Sequence, residues 1–175
     1  MSEFVVEALS RNDLRRYAFQ IRKFFDLNDT LYFPIVQFLE LLPEIFENFS
    51  FEIVEDTALL SKVHADTDIV HHQIRIKNSV YEGACNGNGR DRMKVAHEIA
   101  HYLLLCVNGL KLERNFSGSP LKAYNDPKWQ AKALAGELMC AMHLIKNMNI
   151  NDIIRQCCVS KQAAKYHYKK CREMM

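Results

Sequence analysis

Within Asp91-Arg-Met-Lys-Val-Ala-His-Glu-Ile-Ala-His-Tyr-Leu-Leu-Leu105, two histidines, His97 and His101, stand four residues apart with Glu98 directly after the first. On an α-helix of about 3.6 residues per turn, a spacing of four leaves two side chains about 40° apart and one turn up, so both imidazoles can grip one ion. Two neutral ring nitrogens suit Zn2+. Glu98 projects from an adjacent part of the same face, where a carboxylate can take a proton from a metal-bound water. This is the chemistry of metal-assisted hydrolysis, with Glu98 as general base. A single histidine on an apolar face is more often a satisfied core residue. An ordered His-Glu-x-x-His on a helix-periodic apolar segment favours the metal site.

The elements that must position this helix are legible in part. Ser10 with Asp13 three residues later reads as a helix N-cap, and Leu14, Tyr17, Ala18, Ile21 and Phe25 then repeat at helical spacing. Pro34 suits the first turn of a second helix carrying Ile35, Val36, Phe38, Leu39 and Leu42, which Pro43 should break or kink. From Phe49 the period changes to two, and strands are predicted over Phe49–Val54, Leu59–His64 and Ile69–Ile76, forming a small three-stranded antiparallel sheet. In the third run Val70, His72, Ile74 and Ile76 share a face, so the adjacent His71 and His72 point to opposite faces and are read as structural.

Asn86-Gly-Asn-Gly-Arg-Asp91 reads as a loop ending in an N-cap near Asp91, and Asn108-Gly109 as the left-handed stop of the active helix. Leu110 to Asn125 has no period and is long enough to overhang a cleft. Asp126-Pro127 starts another helix, in which Asp126 caps, Pro127 takes the first position, and a run from Trp129 to Ile145 is small and apolar enough to pack on the histidine helix.

Composition sets the frame. A chain of 175 residues that is 49% hydrophobic can bury a core without staples. The six cysteines include no Cys-x-x-Cys pair, and no apolar run approaches membrane-spanning length, so the expectation is a cytoplasmic protein with reduced thiols and no membrane. From Lys146 onward seven basic residues face two acidic ones, a net of +5 that leaves −3 for the rest of the chain. A solvated basic helix face is the commoner source of such a tail than nucleic-acid contact. The expected division is therefore a domain over 1–145 and a basic helical segment over 146–175 packed on it.

Three stretches together resemble the ImmA/IrrE family of metallo-endopeptidases: Arg90 to Leu104 around His-Glu-x-x-His, Tyr124 to Met139, and Ile153 to Tyr166. The likeness covers about residues 10 to 172. It implies an α+β, mostly helical, gluzincin-like core with a small sheet. It also implies a bacterial or phage protein that inactivates a helix-turn-helix repressor, often by cleavage, to switch on a mobile element or stress genes. His97 and His101 would hold zinc and Glu98 would be the catalytic base.

One position departs from the family pattern. Where the family reads Asp-Pro-Glu-Trp-Gln-Ala, with that glutamate as third zinc ligand, this chain has Lys128. An ammonium ~4 Å from a divalent ion is repelled by roughly 2 kcal/mol in bulk water and several-fold more at lower effective dielectric, so Lys128 must swing away, lose its proton or exclude the metal. Asp126 is the candidate substitute. Glu137, nine residues beyond Lys128, should face away, and Glu113 is weaker still. Leu138-Met-Cys-Ala141 replaces the family's Leu-Leu-Met-Pro, a milder change attributed to packing.

The reading that results is a zinc-dependent endopeptidase-like protein acting on a protein regulator. The alternative is an impaired relative that docks the regulator without cutting it, and direct DNA binding ranks below both. Tyr81, Tyr124 and His72 are candidates for stabilising a developing oxyanion. The tail, read as a short helix, a turn over Cys157 to Ser160 and a helix opened by Ser160, is assigned to core packing and partner docking rather than DNA reading.

Overall fold

The computed structural model describes residues 4–109, 111–114 and 121–173. It is an α+β arrangement of eight α-helices and a three-stranded mixed sheet among the described residues. No helix among them is long and apolar enough to cross a membrane, and all six cysteines stand free.

The first helix, α1 (Arg11–Phe24), begins where expected. Ser10 Oγ accepts from the Asp13 backbone N–H and the Asp13 carboxylate accepts from the Ser10 N–H, which satisfies two amides that the first turn leaves unpaired. Helix α2 (Ile35–Ile45) follows Pro34, which is its N-cap rather than a first-turn residue. Pro43 does not end α2, because it lies in the last turn and the helix runs two residues past it.

The sheet departs from expectation. Strand β2 (Ser50–Val54) runs parallel to β4 (Gln73–Lys77), with Phe51 opposite Ile74, and β3 (Ala65–Asp68) runs antiparallel to β4, with Thr67 opposite Ile74. The order β2-β4-β3 makes the sheet mixed, not antiparallel: the chain leaving β2 crosses to the far side of β4 before turning back as β3. Leu59–His64 is not a strand. The polar Ala-Asp-Thr-Asp run pairs instead, and its alternation gave no apolar signal to find it by. The Ile69–Ile76 run is split by a turn in which the Asp68 carboxylate accepts from the N–H groups of Val70 and His71, and His72 takes a left-handed φ of 53°. Ile74 and Ile76 are therefore buried while Val70 is 78% exposed. A second pairing, β1 (Phe4–Val5) antiparallel to β5 (Glu113–Arg114), has no counterpart in the sequence pattern.

Helix α3 (Asn78–Cys85) leads through a turn into α4 (Gly89–Tyr102), the histidine helix. Its cap is Asn88, whose side chain accepts from the N–H groups of Arg90 and Asp91, three residues earlier than the expected cap; Asp91 pairs with Lys94 instead. Gly89 is required by close approach. A Cβ there would lie 2.4 Å from the Val159 carbonyl carbon and 2.6 Å from the Ser160 nitrogen, both backbone. Gly89→Ala is expected to destabilise the fold by about 2 kcal/mol, read as a lowered urea midpoint. An unchanged midpoint would mean that this contact relaxes freely.

Arg92, fully buried, holds the same end of α4. Its guanidinium donates to the carbonyls of Phe33 and Cys158 at 2.6 and 3.1 Å and to the Tyr32 hydroxyl at 2.6 Å. Past Tyr102 the helix widens into a π-helical turn, Leu103–Val107, and Gly109 then adopts the expected left-handed φ, 65°.

Helix α5 (Pro127–Met139) packs along α4 and α1. Ala131 and Ala135 are small enough for the close approach, Gly136 leaves room for the His167 ring, 2.4 Å from where a Cβ would stand, and Leu134 and Leu138 fill the core with Ile99, Leu39 and Leu42. Each fully buried Leu or Ile contributes roughly 1.5–3 kcal/mol relative to exposure. Short α6 (Met142–Ile145) precedes the tail, where α7 (Ile150–Cys157), a left-handed Cys158 and α8 (Lys161–Arg172), capped by Ser160, match the expected helix-turn-helix outline. Ile153, Cys157, Val159 and Ala164 bury into the same core as residues of α4 and α5. The expectation for 110–125 lies partly outside the described residues. Within them, β5 and a 3-10 turn over Ala123–Asn125 occupy that stretch.

Candidate active site

The spacing of four does bring the two histidines together. The His97 and His101 rings lie 4.6 Å apart between centroids, at 82°. Both are largely buried, and burial pushes their pKa values down from 6.5 to about 4 and about 3. After burial the next contributors are Lys132 and Lys128 for His97, and His97 and Lys128 for His101. Both rings are therefore neutral at physiological pH, the form in which imidazole donates to a metal.

Glu98 shares the cleft. Burial raises its carboxyl from 4.5 to about 7, with a smaller push from Asp66 and an opposing hydrogen bond from Thr67, whose Oγ1 donates to Oε2 at 2.8 Å. The Thr67 hydroxyl also lies 3.2 Å from the Glu98 carbonyl oxygen, so it fixes the carboxyl against α4. A carboxyl balanced near neutrality suits proton exchange with a reacting group.

That balance has a measurable consequence in metal-free protein. The folded pKa of Glu98 lies above its unfolded value, so the folded state binds the extra proton, and the stability this contributes is lost as pH rises from about 4.5 through about 7. The depressed histidines act in the opposite sense, losing stability as pH falls below 6.5. Glu98→Gln should remove only the first trend. Its stability relative to the unaltered chain should rise across that window in urea titrations with chelator present, and parallel curves would contradict the assignment.

The cleft has two arms that meet at His97, Glu98 and Ala65. One, of about 550 Å³, holds Thr67, His101, Leu105 and Lys128. The other, of about 610 Å³, runs between α4, α8 and the segment before β3 and holds Lys62, Arg90, Lys132 and Tyr166. Lys128 thus faces the same space as the histidines, as its sequence position implied. Lys132, one turn on, adds a second ammonium that the spacing of four from Lys128 could have disclosed.

The other sequence candidates lie elsewhere. Asp126 caps α5, accepting from the Lys128 N–H at 2.9 Å. Glu137 faces away as expected, bound to Arg11 and Arg15. Glu113 is in β5. Tyr81 donates to Glu40 at 2.5 Å, Tyr124 sits under Lys122, and the His72 ring lies against Tyr102, so none of these three lines the cleft. His71 bonds Asp68. Sequence reasoning missed Thr67, because its strand was placed too early, and Tyr166, whose hydroxyl accepts from Arg11.

The donor set fits zinc at two positions and not at the third. His97 and His101 are neutral and adjacent, but among the described residues no third His, Cys, Asp or Glu joins them to complete a metal-binding group.

Comparison of the chain with protein-family models, with characterised proteins and with solved structures finds no match.

Proposed function

We propose that this chain is a metallopeptidase-type protein of the His-Glu-x-x-His class that acts on a protein regulator, a helix-turn-helix repressor of a mobile element or stress response on the likeness to ImmA/IrrE. The observation that carries the reading is the pair of neutral imidazoles on one helix, with the half-neutral Glu98 carboxyl between them in sequence and in the same cleft. His97 and His101 would hold zinc, which when bound supplies an acidified water and a Lewis acid. Glu98 takes a proton in the cleft and returns it to the leaving amine, and Thr67 keeps its carboxyl oriented for both transfers. A cytoplasmic location, expected from the cysteine pattern of the sequence, goes with this reading.

Lys128 favours a second reading: a chain that keeps the scaffold, binds zinc weakly or not at all, and regulates by docking the same partner. The two separate on bond cleavage. Labelling of protein N-termini in host cells producing the unaltered chain should reveal a new terminus within a helix-turn-helix repressor, absent from cells producing Glu98→Gln. Identical sets of termini, with repressor still captured by both forms, would replace hydrolysis with docking.

A further inference from the structure

The second arm of the cleft is lined by more positive than negative side chains. Lys62, Arg90 and Lys132 line it, all exposed, and none pairs with a carboxylate of a described residue. Lys94, also in this arm, is matched by Asp91 at 2.9 Å. The sole carboxylate lining the arm is Glu98, at its inner end. Some surface cations are answered, Arg16 by Asp13, Arg75 by Asp66, Arg155 by Asp152 and Lys170 by Glu173, and others such as Lys23, Lys146, Lys161 and Lys165 have no carboxylate partner among the described residues; what sets Lys62, Arg90 and Lys132 apart is that they line one concavity. Three unanswered cations converging on a concavity repel one another, and an anionic occupant relieves that repulsion.

The shape narrows the occupant. Val63, His64 and Ala65 form one wall and lead directly into β3, an edge strand of the sheet; the Val63 N–H and the His64 carbonyl are already bonded to Leu60 and Lys77, so what the arm offers an extended chain is a trough beside a strand with a single neighbour. Met93, Ala135 and Tyr166 place apolar surface between the cations. Three cations interleaved with apolar side chains suit a peptide with spaced carboxylates better than a phosphate backbone, whose binding draws on more numerous basic contacts.

We infer that this arm binds an acidic, extended peptide segment of the substrate, with Lys62, Arg90 and Lys132 reading its carboxylates. The inference rests on the proposed function, in taking the cleft at Glu98 as the place where a protein substrate lies.

The test is binding of two fluorescein-labelled peptides to the full chain by anisotropy: one alternating Glu with Ala, the other alternating Gln with Ala. The Glu peptide should bind roughly tenfold more tightly at low salt, from three exposed charge pairs, and the preference should shrink as salt rises. It should vanish in the triple variant Lys62→Ala, Arg90→Ala, Lys132→Ala, whose exposed side chains leave the core untouched, as an unchanged urea midpoint would verify. Equal binding of the two peptides, a preference that survives the triple variant, or tighter binding of duplex DNA that displaces the Glu peptide would each overturn the inference. A charge preference with no new repressor terminus in the host-cell comparison removes the peptidase reading and leaves this inference standing, whereas a new terminus with equal binding of both peptides does the reverse.

Discussion

Lys128→Glu should tighten zinc binding by at least about 100-fold, measured by competition with a chromogenic chelator. The substitution acts twice. It removes an ammonium that faces both His97 and His101, and it supplies an anionic oxygen at the position where the resembling family places its third ligand. The Lys128 backbone N–H is already tied to the Asp126 cap, and its side chain is exposed, so a carboxylate can enter the cleft without refolding the helix start. A gain that disappears on adding His101→Ala would show that all three residues hold one ion. Equal affinity in both forms would mean that position 128 does not address the histidines, and the cleft geometry would have to be reconsidered.

Glu137→Ala should destabilise the fold by about 3 kcal/mol or more, the second large effect. Glu137 is 1% exposed and accepts from Arg11 Nε at 3.0 Å and from Arg15 Nε at 3.2 Å, joining α1 to α5. Removing it leaves two guanidinium groups facing each other beside His167, itself buried and held neutral with a pKa of about 3 by burial and by those same arginines. The loss should exceed that in Arg11→Ala, because Arg15 still pairs with the carboxylate in that variant. Urea denaturation ranks the two, and the opposite order would contradict the pairing described.

The features that sequence disclosed are those set by local chemistry. Ser10 with Asp13, Asp126 with Pro127, and Ser160 each mark a helix start through a side chain that accepts an orphan amide, and each holds in three dimensions. The His97–His101 spacing is likewise a property of one helix and needs no tertiary knowledge. Strand partnership is not local. Nothing in Phe49–Val54 states that its neighbour is Gln73–Lys77 running parallel, and β3 is so polar that its pairing follows from position alone. The Asn88 cap was obscured because Asp91 offered an equally good capping residue three positions on. Thr67 and Lys62 came from segments whose own patterns carry no chemistry, and Arg90 and Lys132 from motif-bearing stretches that did not mark them as lining a cleft. Only folding brings them to Glu98.

The measurement closest to the central claim is zinc per chain in unaltered protein purified without chelator, beside His97→Ala prepared identically. The account predicts zinc approaching one per chain in the first and essentially none in the second. Protein that stays metal-free in both, even with zinc added, would contradict a metallopeptidase site and leave a cleft that docks its regulator without cutting it.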